Sequence, residues 1–127
     1  MNNKKSIMIV DDEKMVILAL TQILSPDYTL YVVKDGREAV RIATQFAPDL
    51  IFLDIVMPDI TGYEVLEQLK ADEATSHIPV ILVSGLDNEN DRSKGFSLGA
   101  CDYITKPFNS KIIRERLTHH LHDGSFT

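Results

Sequence analysis

The chain has 127 residues, enough for one domain with its own core and too few for two. Its content of 44% hydrophobic and 25% charged residues is typical of a globular protein and excludes a disordered or fibrous chain. The net charge of −6 argues against binding to nucleic acid or to an anionic membrane surface, because both need an excess of Lys and Arg.

Cellular location is indicated by what the sequence lacks. Cys101 is the single cysteine, so no internal disulfide forms and a reducing compartment is expected. No apolar run approaches the ~18 residues of a membrane span, and the basic start is followed by only four apolar residues, unlike a secretory signal. These features predict a cytoplasmic protein with one domain at residues 6–122 between short tails at 1–5 and 123–127.

Five short apolar runs alternate with segments whose apolar residues recur every three or four positions. The runs are, in chain order, Ile7–Val10, Leu30–Val33, Leu50–Leu53, Val80–Val83 and Tyr103–Ile104. Continuous apolar runs are typical of strands buried on both faces, and helical segments between them indicate parallel crossover connections. The pattern predicts an α/β fold with a five-stranded parallel sheet and five helices covering both of its faces.

Several residues mark the expected helix ends. Asp35 and Thr61 each stand three residues before a glutamate, which is the spacing of a capping box. Gly99 and Pro48 lie just beyond the ends of two helical segments, where a helix stops.

Residues with chemical function follow four of the five strands, at the edge where open parallel sheets bind ligands. In the strand order 2-1-3-4-5, Asp54 lies between Asp11 and Asp12 on one side and Ser84 and Lys106 on the other. Three neighbouring carboxylates repel one another unless a cation neutralises them, and a site of oxygen ligands favours Mg²⁺. A carboxylate shielded by Mg²⁺ and an ammonium group is suited to attack phosphorus and form an aspartyl phosphate.

These residues resemble the motifs of a response-regulator receiver domain of two-component signalling, the family that includes the chemotaxis response regulator. The resemblance spans about residues 6–121 and rests on Asp11–Asp12, Asp54–Gly62, Ser84–Gly85 and Gly99–Phe108. It implies a flavodoxin-like, doubly wound sandwich. It also implies phosphorelay signalling, in which a sensor histidine kinase or a phosphotransfer protein donates a phosphoryl group in a Mg²⁺-dependent reaction.

The resemblance implies a role for each matching acidic residue. Asp54 is the expected phosphoacceptor. Mg²⁺ is expected to bind Asp12 directly, Asp11 through water, and also Asp54 and the backbone carbonyl of Val56.

The remaining matching residues are expected to act on the phosphoryl group. Lys106 would pair with it, Ser84 would be the switch hydroxyl that moves toward it, and Tyr103 would be the aromatic that swings inward when Ser84 moves. The bond from Lys106 to Pro107 is usually cis in the family. Gly85 is a departure, because alanine is more common there, and a looser loop is expected.

Phosphorylation is implied to change the face made by the fourth helix, the fifth strand and the fifth helix. An output domain, an effector protein or a second copy of the chain would bind there. The fourth helix is expected within residues 87–98, which are rich in poor helix formers, and its low local stability would let it shift. Such a domain is not a turnover enzyme, although it promotes its own phosphorylation and dephosphorylation.

Two aliphatic residues beside the site predict a long-lived phosphorylated state. Val56 lies two positions after Asp54, and Leu86 lies two positions after Ser84. Polar side chains at these positions in the family can orient an attacking water. We therefore expect slow self-dephosphorylation.

Simpler structural roles remain open for several residues. The paired aspartates could cap the first helix, Ser84 could hold a turn, and Tyr103 could be an ordinary half-buried aromatic. Cys101 is expected to be a buried core residue without redox function. The C-terminal histidines predict a solvated helix end rather than a metal site, because no carboxylate or cysteine nearby in the sequence completes one; they are His119, His120 and His122.

Three other functions fit the fold class. A phosphatase of the haloacid dehalogenase type needs two aspartates spaced by one residue after the first strand, whereas Asp11 and Asp12 are adjacent. A flavodoxin-like flavin-binding module needs a phosphate loop rich in hydroxyls and glycine, and the acidic stretch 11–13 would repel the phosphate. A pseudo-receiver that binds partners without phosphorylation is disfavoured by the complete acceptor set.

Overall fold

The computed structural model describes residues 4–121, and strands and helices alternate through them. The strands are β1 Ser6–Val10, β2 Thr29–Val33, β3 Leu50–Asp54, β4 Val80–Ser84 and β5 Asp102–Thr105. The helices are α1 Lys14–Leu24, α2 Ala39–Phe46, α3 Gly62–Ala71, α4 Glu89–Ser97 and α5 Ser110–Leu121. The predicted tail at 123–127, His122 and the first three residues lie outside the described residues.

The five strands form one parallel sheet in the order β2-β1-β3-β4-β5, which confirms the predicted fold class. In the middle of the sheet Ile9 lies opposite Val32 on one side and Phe52 on the other. Because all strands run in the same direction, their carboxyl ends meet at one edge. The residues that follow the strands are therefore brought together there.

The alternating side chains of the sheet point into two separate apolar cores. One core lies under α2 and α3 and includes Met8, Leu53, Leu66 and Leu82. The other lies under α1 and α5 and includes residues of the opposite strand parity, such as Phe52. Residues 7–10 and 50–54 are buried along their whole length, because helices cover both faces of β1 and β3.

Local chemistry sets the helix ends. Thr61 and Glu64 form the predicted capping box at the start of α3. Asp35 instead accepts hydrogen bonds from Arg37 and begins a short 3-10 turn before α2, so the second predicted box does not close. Gly99, with a φ of 111°, follows the last turn of α4, as the sequence predicts.

The α4 helix is held to the domain mainly by polar contacts. Gly95 is its only buried residue, and its backbone lies against Leu82 so closely that a Cβ atom there would come within 2.5 Å of that side chain. The Tyr63 hydroxyl donates a hydrogen bond to Asp91 at 2.9 Å, and the Lys94 ammonium lies 4.4 Å from the centre of the Tyr63 ring. Tyr63 therefore links α4 to α3.

Two expectations about the C-terminal region need correction. His120 is not part of a solvated helix end, because its Nε2 lies 2.8 Å from Asp102 Oδ2 and only 15% of its side chain is exposed. Spacing within one helix does not reveal this pair, since its partner is on β5. Cys101 is half-buried rather than fully buried, and burial raises the pKa of its thiol to about 11. No helix within residues 4–121 is long and apolar enough to cross a membrane.

Two glycines at the carboxyl edge allow a matched test of packing. A Cβ atom on Gly62 would lie 2.2 Å from the backbone oxygen of Asp54, whereas a Cβ atom on Gly85 would have nothing within 4 Å. We expect Gly62→Ala to lower the free energy of unfolding by about 2 kcal/mol or more, as overpacking against backbone does. Gly85→Ala should change it by less than about 0.5 kcal/mol. Urea unfolding of both variants measures the difference, and equal stabilities would contradict this account of the packing.

Candidate functional site

Three of the predicted acidic residues meet at the carboxyl edge of the sheet. Asp11 and Asp12 follow β1, and Asp54 is the last residue of the neighbouring strand β3. One carboxylate oxygen from each lies within 4.8 Å of the others. Such a group of oxygen atoms is what a divalent cation such as Mg²⁺ requires.

Burial makes the charge on these residues costly. Asp11 and Asp54 are each only 2% exposed. Burial, followed by repulsion from Asp11, raises the pKa of Asp54 to about 6, although Lys106 acts in the opposite direction. The pKa of Asp11 is also raised, mainly by burial. A bound cation would relieve this cost.

Lys106 lies among these carboxylates. Its ammonium nitrogen is 3.3 Å from Asp11 Oδ2 and 3.3 Å from Asp54 Oδ1. The backbone nitrogen of Lys106 donates a hydrogen bond to the Ser84 carbonyl, and the bond to Pro107 is cis, as expected. Burial lowers the pKa of Lys106, but its carboxylate partners, first the hydrogen bond to Glu13, outweigh burial and raise the pKa.

Ser84 and Tyr103 are connected through the backbone of Leu86. The buried Ser84 hydroxyl accepts a hydrogen bond from the Leu86 N–H at 3.2 Å, so Ser84 also has the turn-holding role that its position allows. The Tyr103 hydroxyl donates to the Leu86 carbonyl at 2.6 Å. Tyr103 is 4% exposed, so its ring is buried rather than half-buried. Their roles in switching remain predictions.

Sequence reasoning missed Glu13. Its Oε1 lies 2.6 Å from the Lys106 ammonium, which is shorter than either aspartate contact. The backbone N–H of Glu13 donates to Asp11 Oδ1 at 2.9 Å, so Asp11 also organises the entry into α1. The only signal in the sequence was the position of Glu13 directly after two aspartates of an acidic edge.

The chemistry of the donor set fits Mg²⁺. Asp54 Oδ2 is buried and has no hydrogen-bond partner among the described residues, which is unfavourable unless a ligand satisfies it. All of the candidate side-chain donors are carboxylate oxygens, the type that Mg²⁺ prefers. Val56 lies in the loop after β3, two residues beyond Asp54, and its side chain is mostly exposed.

Comparison with known sequences identifies the family. The family described as "Response regulator receiver domain" matches residues 7–118. The chain belongs to this family. Receiver domains bind Mg²⁺ in an acidic pocket, and the cluster of Asp11, Asp12 and Asp54 is of this kind.

Similar proteins include a curated relative much longer than this chain and solved domains of similar length. It is 41% identical over 116 residues to a probable cyclic di-GMP phosphodiesterase of Vibrio cholerae, and it spans 26% of that protein's length. A receiver domain of a signal transduction histidine kinase from Syntrophus aciditrophicus has a similar structure, with a TM-score of 0.84, 34% identity and coverage of 97% of this chain and 94% of that one. The Mn²⁺-bound response regulator Rcp1 has a TM-score of 0.81, 27% identity and coverage of 94% and 96%.

The raised pKa of Asp54 predicts a stability gain when its charge is removed. Between about pH 4 and pH 6 in the absence of Mg²⁺, Asp54 is still protonated in the folded domain but already ionised in the unfolded chain. The free energy of unfolding therefore falls as the pH rises through this window. At pH 7.5 in EDTA, Asp54→Asn should raise the free energy of unfolding by about 1–3 kcal/mol. The gain should shrink toward pH 4.

Chemical denaturation at both pH values tests this prediction. Asp59→Asn is the matched control, because Asp59 is 61% exposed and should contribute less than about 0.5 kcal/mol at either pH. Lys106 retains Asp11 and Glu13 as partners in the Asp54→Asn variant, so the measured free energy of unfolding does not include the cost of an unpaired ammonium. An Asp54→Asn protein no more stable than the wild type at pH 7.5 would contradict the prediction.

Proposed function

We propose that this receiver domain accepts a phosphoryl group on Asp54 from the phosphohistidine of a sensor histidine kinase or a phosphotransfer protein, in a reaction that requires Mg²⁺. The observation that carries the proposal is the environment of Asp54. Its carboxylate is buried, contacts the Lys106 ammonium through Oδ1, and has an Oδ2 atom without a partner within residues 4–121. A buried, partly neutralised carboxylate of this kind supports nucleophilic chemistry.

Group transfer follows from this arrangement. An Asp54 carboxylate oxygen attacks the phosphorus, the nitrogen–phosphorus bond of the donor breaks, and the donor imidazole leaves. Lys106 balances negative charge on the phosphoryl oxygens from its position next to both buried aspartates. Mg²⁺ would be held by Asp11, Asp12, Asp54 and the backbone carbonyl of Val56, and when bound it supplies further positive charge to the phosphoryl oxygens.

The reaction ends when water attacks the phosphorus and breaks the bond to the Asp54 oxygen, which releases inorganic phosphate and restores the carboxylate. The chain would promote both its phosphorylation and this hydrolysis without being a turnover enzyme in the usual sense. The adjacent Asp11 and Asp12, and a nucleophile on the third strand, do not fit a phosphatase of the haloacid dehalogenase type.

Signal output would pass through Ser84 and Tyr103. The Ser84 hydroxyl and the Tyr103 hydroxyl hold the N–H and the carbonyl of Leu86, respectively. When Ser84 turns toward a phosphoryl group, it gives up the Leu86 N–H, and the loop that holds Tyr103 is free to change. The equilibrium between two states of the α4–β5–α5 face then shifts.

That face would bind the partner that carries the signal onward. The candidates are an output domain, a separate effector protein or a second copy of the chain. The acidic net charge gives no support for direct binding to nucleic acid by this domain.

Intact mass after incubation with acetyl phosphate tests the proposal. One phosphoryl adduct should form on the wild-type chain with Mg²⁺, and none should form in EDTA or on Asp54→Ala. Asp59→Ala is the control for removal of an exposed aspartate from the same edge and should form the adduct normally. If a folded wild-type protein forms no adduct with either acetyl phosphate or a phosphorylated histidine phosphotransfer protein, the chain is a pseudo-receiver and the proposal is wrong.

The phosphorylated state should be long-lived. The side chains of Val56 and Leu86 have no polar group to orient water, and the Val56 side chain is 62% exposed beside the site. We expect Val56→Asn to shorten the lifetime about tenfold by positioning the attacking water. The exposed valine of β2 is the control, and Val32→Asn should leave the lifetime unchanged. Loss of the adduct is followed by intact mass after removal of the donor, and a wild-type lifetime of only seconds would exclude this interpretation.

A further inference from the structure

The carboxylate of Glu13 is the closest partner of the Lys106 ammonium. The distance from Oε1 to Nζ is 2.6 Å, whereas the Asp11 and Asp54 oxygens each lie 3.3 Å away. Glu13 precedes α1 at its N-cap, but its side chain makes no capping hydrogen bond. Within residues 4–121, Lys106 is the only residue that forms an ion pair or hydrogen bond with the Glu13 carboxylate. Lys106 alone therefore fixes where this carboxylate lies.

The negative charge of Glu13 exceeds what the cations of the site can balance. Asp11, Asp12 and Asp54 carry three negative charges, which are balanced by the single charge of Lys106 and the two charges of one Mg²⁺ ion. Glu13 adds a fourth negative charge that nothing in this set balances. Phosphorylation adds another, because an aspartate with one negative charge becomes an acyl phosphate with about two.

Lys106 already has a full set of partners before Asp54 is phosphorylated. A lysine ammonium has three hydrogen-bond donors, and the three contacts of Lys106 all go to carboxylates. An incoming phosphoryl oxygen therefore competes with these carboxylates for Lys106 before the bond from phosphorus to Asp54 forms. Glu13 is 56% exposed, whereas Asp11 and Asp54 are buried, so Glu13 can turn into water at the lowest desolvation cost.

We propose that Glu13 is a positioning residue for phosphoryl transfer: it holds Lys106 in the unphosphorylated protein and competes with the incoming phosphoryl group for the Lys106 ammonium. The inference rests on the proposed function. Glu13 thus opposes phosphorylation, and its ion pair limits how readily anionic donors modify Asp54. Removing its charge should make the site more reactive rather than less.

The first test measures the rate of adduct formation with acetyl phosphate and Mg²⁺ at pH 7.5. Glu13→Gln should raise the rate about threefold to tenfold at low salt, because it frees Lys106 and removes one repulsive charge. The gain should diminish in about 0.5 M salt, since the ion pair reaches solvent. Asp59→Asn removes an equal charge from the same edge without touching Lys106 and should stay within about twofold of the wild type.

The second test asks whether Glu13 acts through Lys106. The change in the logarithm of the rate caused by Glu13→Gln is measured with Lys106 present and in the Lys106→Met variant. In the Lys106→Met variant this change should be less than half as large. The affinity for beryllium trifluoride, a mimic of the acyl phosphate, provides the same comparison without any reaction and should follow the same pattern. An equal gain with and without Lys106 would show a general charge effect and overturn the proposal.

The results distinguish a failure of the proposed phosphorylation of Asp54 from a failure of the role proposed for Glu13. If the wild type forms no Asp54 adduct, the proposed function itself fails. If the wild type forms the adduct and Glu13→Gln reacts at the same rate or more slowly, only the role of Glu13 is rejected. Thermal unfolding of each variant shows whether a slow rate reflects loss of the fold.

Discussion

The close burial of Asp11 and Asp54 at the carboxyl edge of the sheet is the constraint on which the rest of the site depends. Two buried carboxylates at neighbouring strand ends repel each other and lose hydration, so the fold tolerates them only with compensating charge. Lys106, delivered from β5, provides part of that charge. Asp54 Oδ2 has no hydrogen-bond partner among the described residues, so the negative charge of Asp54 is only partly balanced. The reactivity proposed for Asp54 arises from this unbalanced charge.

Much of the fold could be predicted because the three central strands are buried on both faces. Ile7–Val10, Leu50–Leu53 and Val80–Val83 are continuous apolar runs, and the structure extends each by only one residue. Parallel strands bring the residues that follow them to one edge, so the grouping of the aspartates with Lys106 could also be anticipated. The short run at Tyr103 was the weakest signal, since β5 has only four residues.

What could not be predicted depends on side chains that meet across long separations. Glu13 and Lys106 are 93 residues apart, and their contact depends on how two loops pack, which no local pattern encodes. The Asp102–His120 pair likewise joins a strand to a helix, so a search for partners nearby in the sequence did not find it. The capping box at Asp35 is missing for a local reason: Asp35 caps the 3-10 turn through the Arg37 N–H, while the Glu38 carboxylate pairs with Arg41.

The attachment of α4 through Tyr63 has a consequence for how this face responds to temperature. The α3 helix is held by buried apolar residues such as Leu66, and apolar burial carries a large heat-capacity change and weakens on cooling. The hydroxyl contact to Asp91 and the Lys94 ammonium over the ring bury little apolar surface. Two neighbouring helices on one side of the sheet thus have attachments that respond differently to temperature, and cooling weakens the apolar attachment of α3 more than the polar contacts of α4.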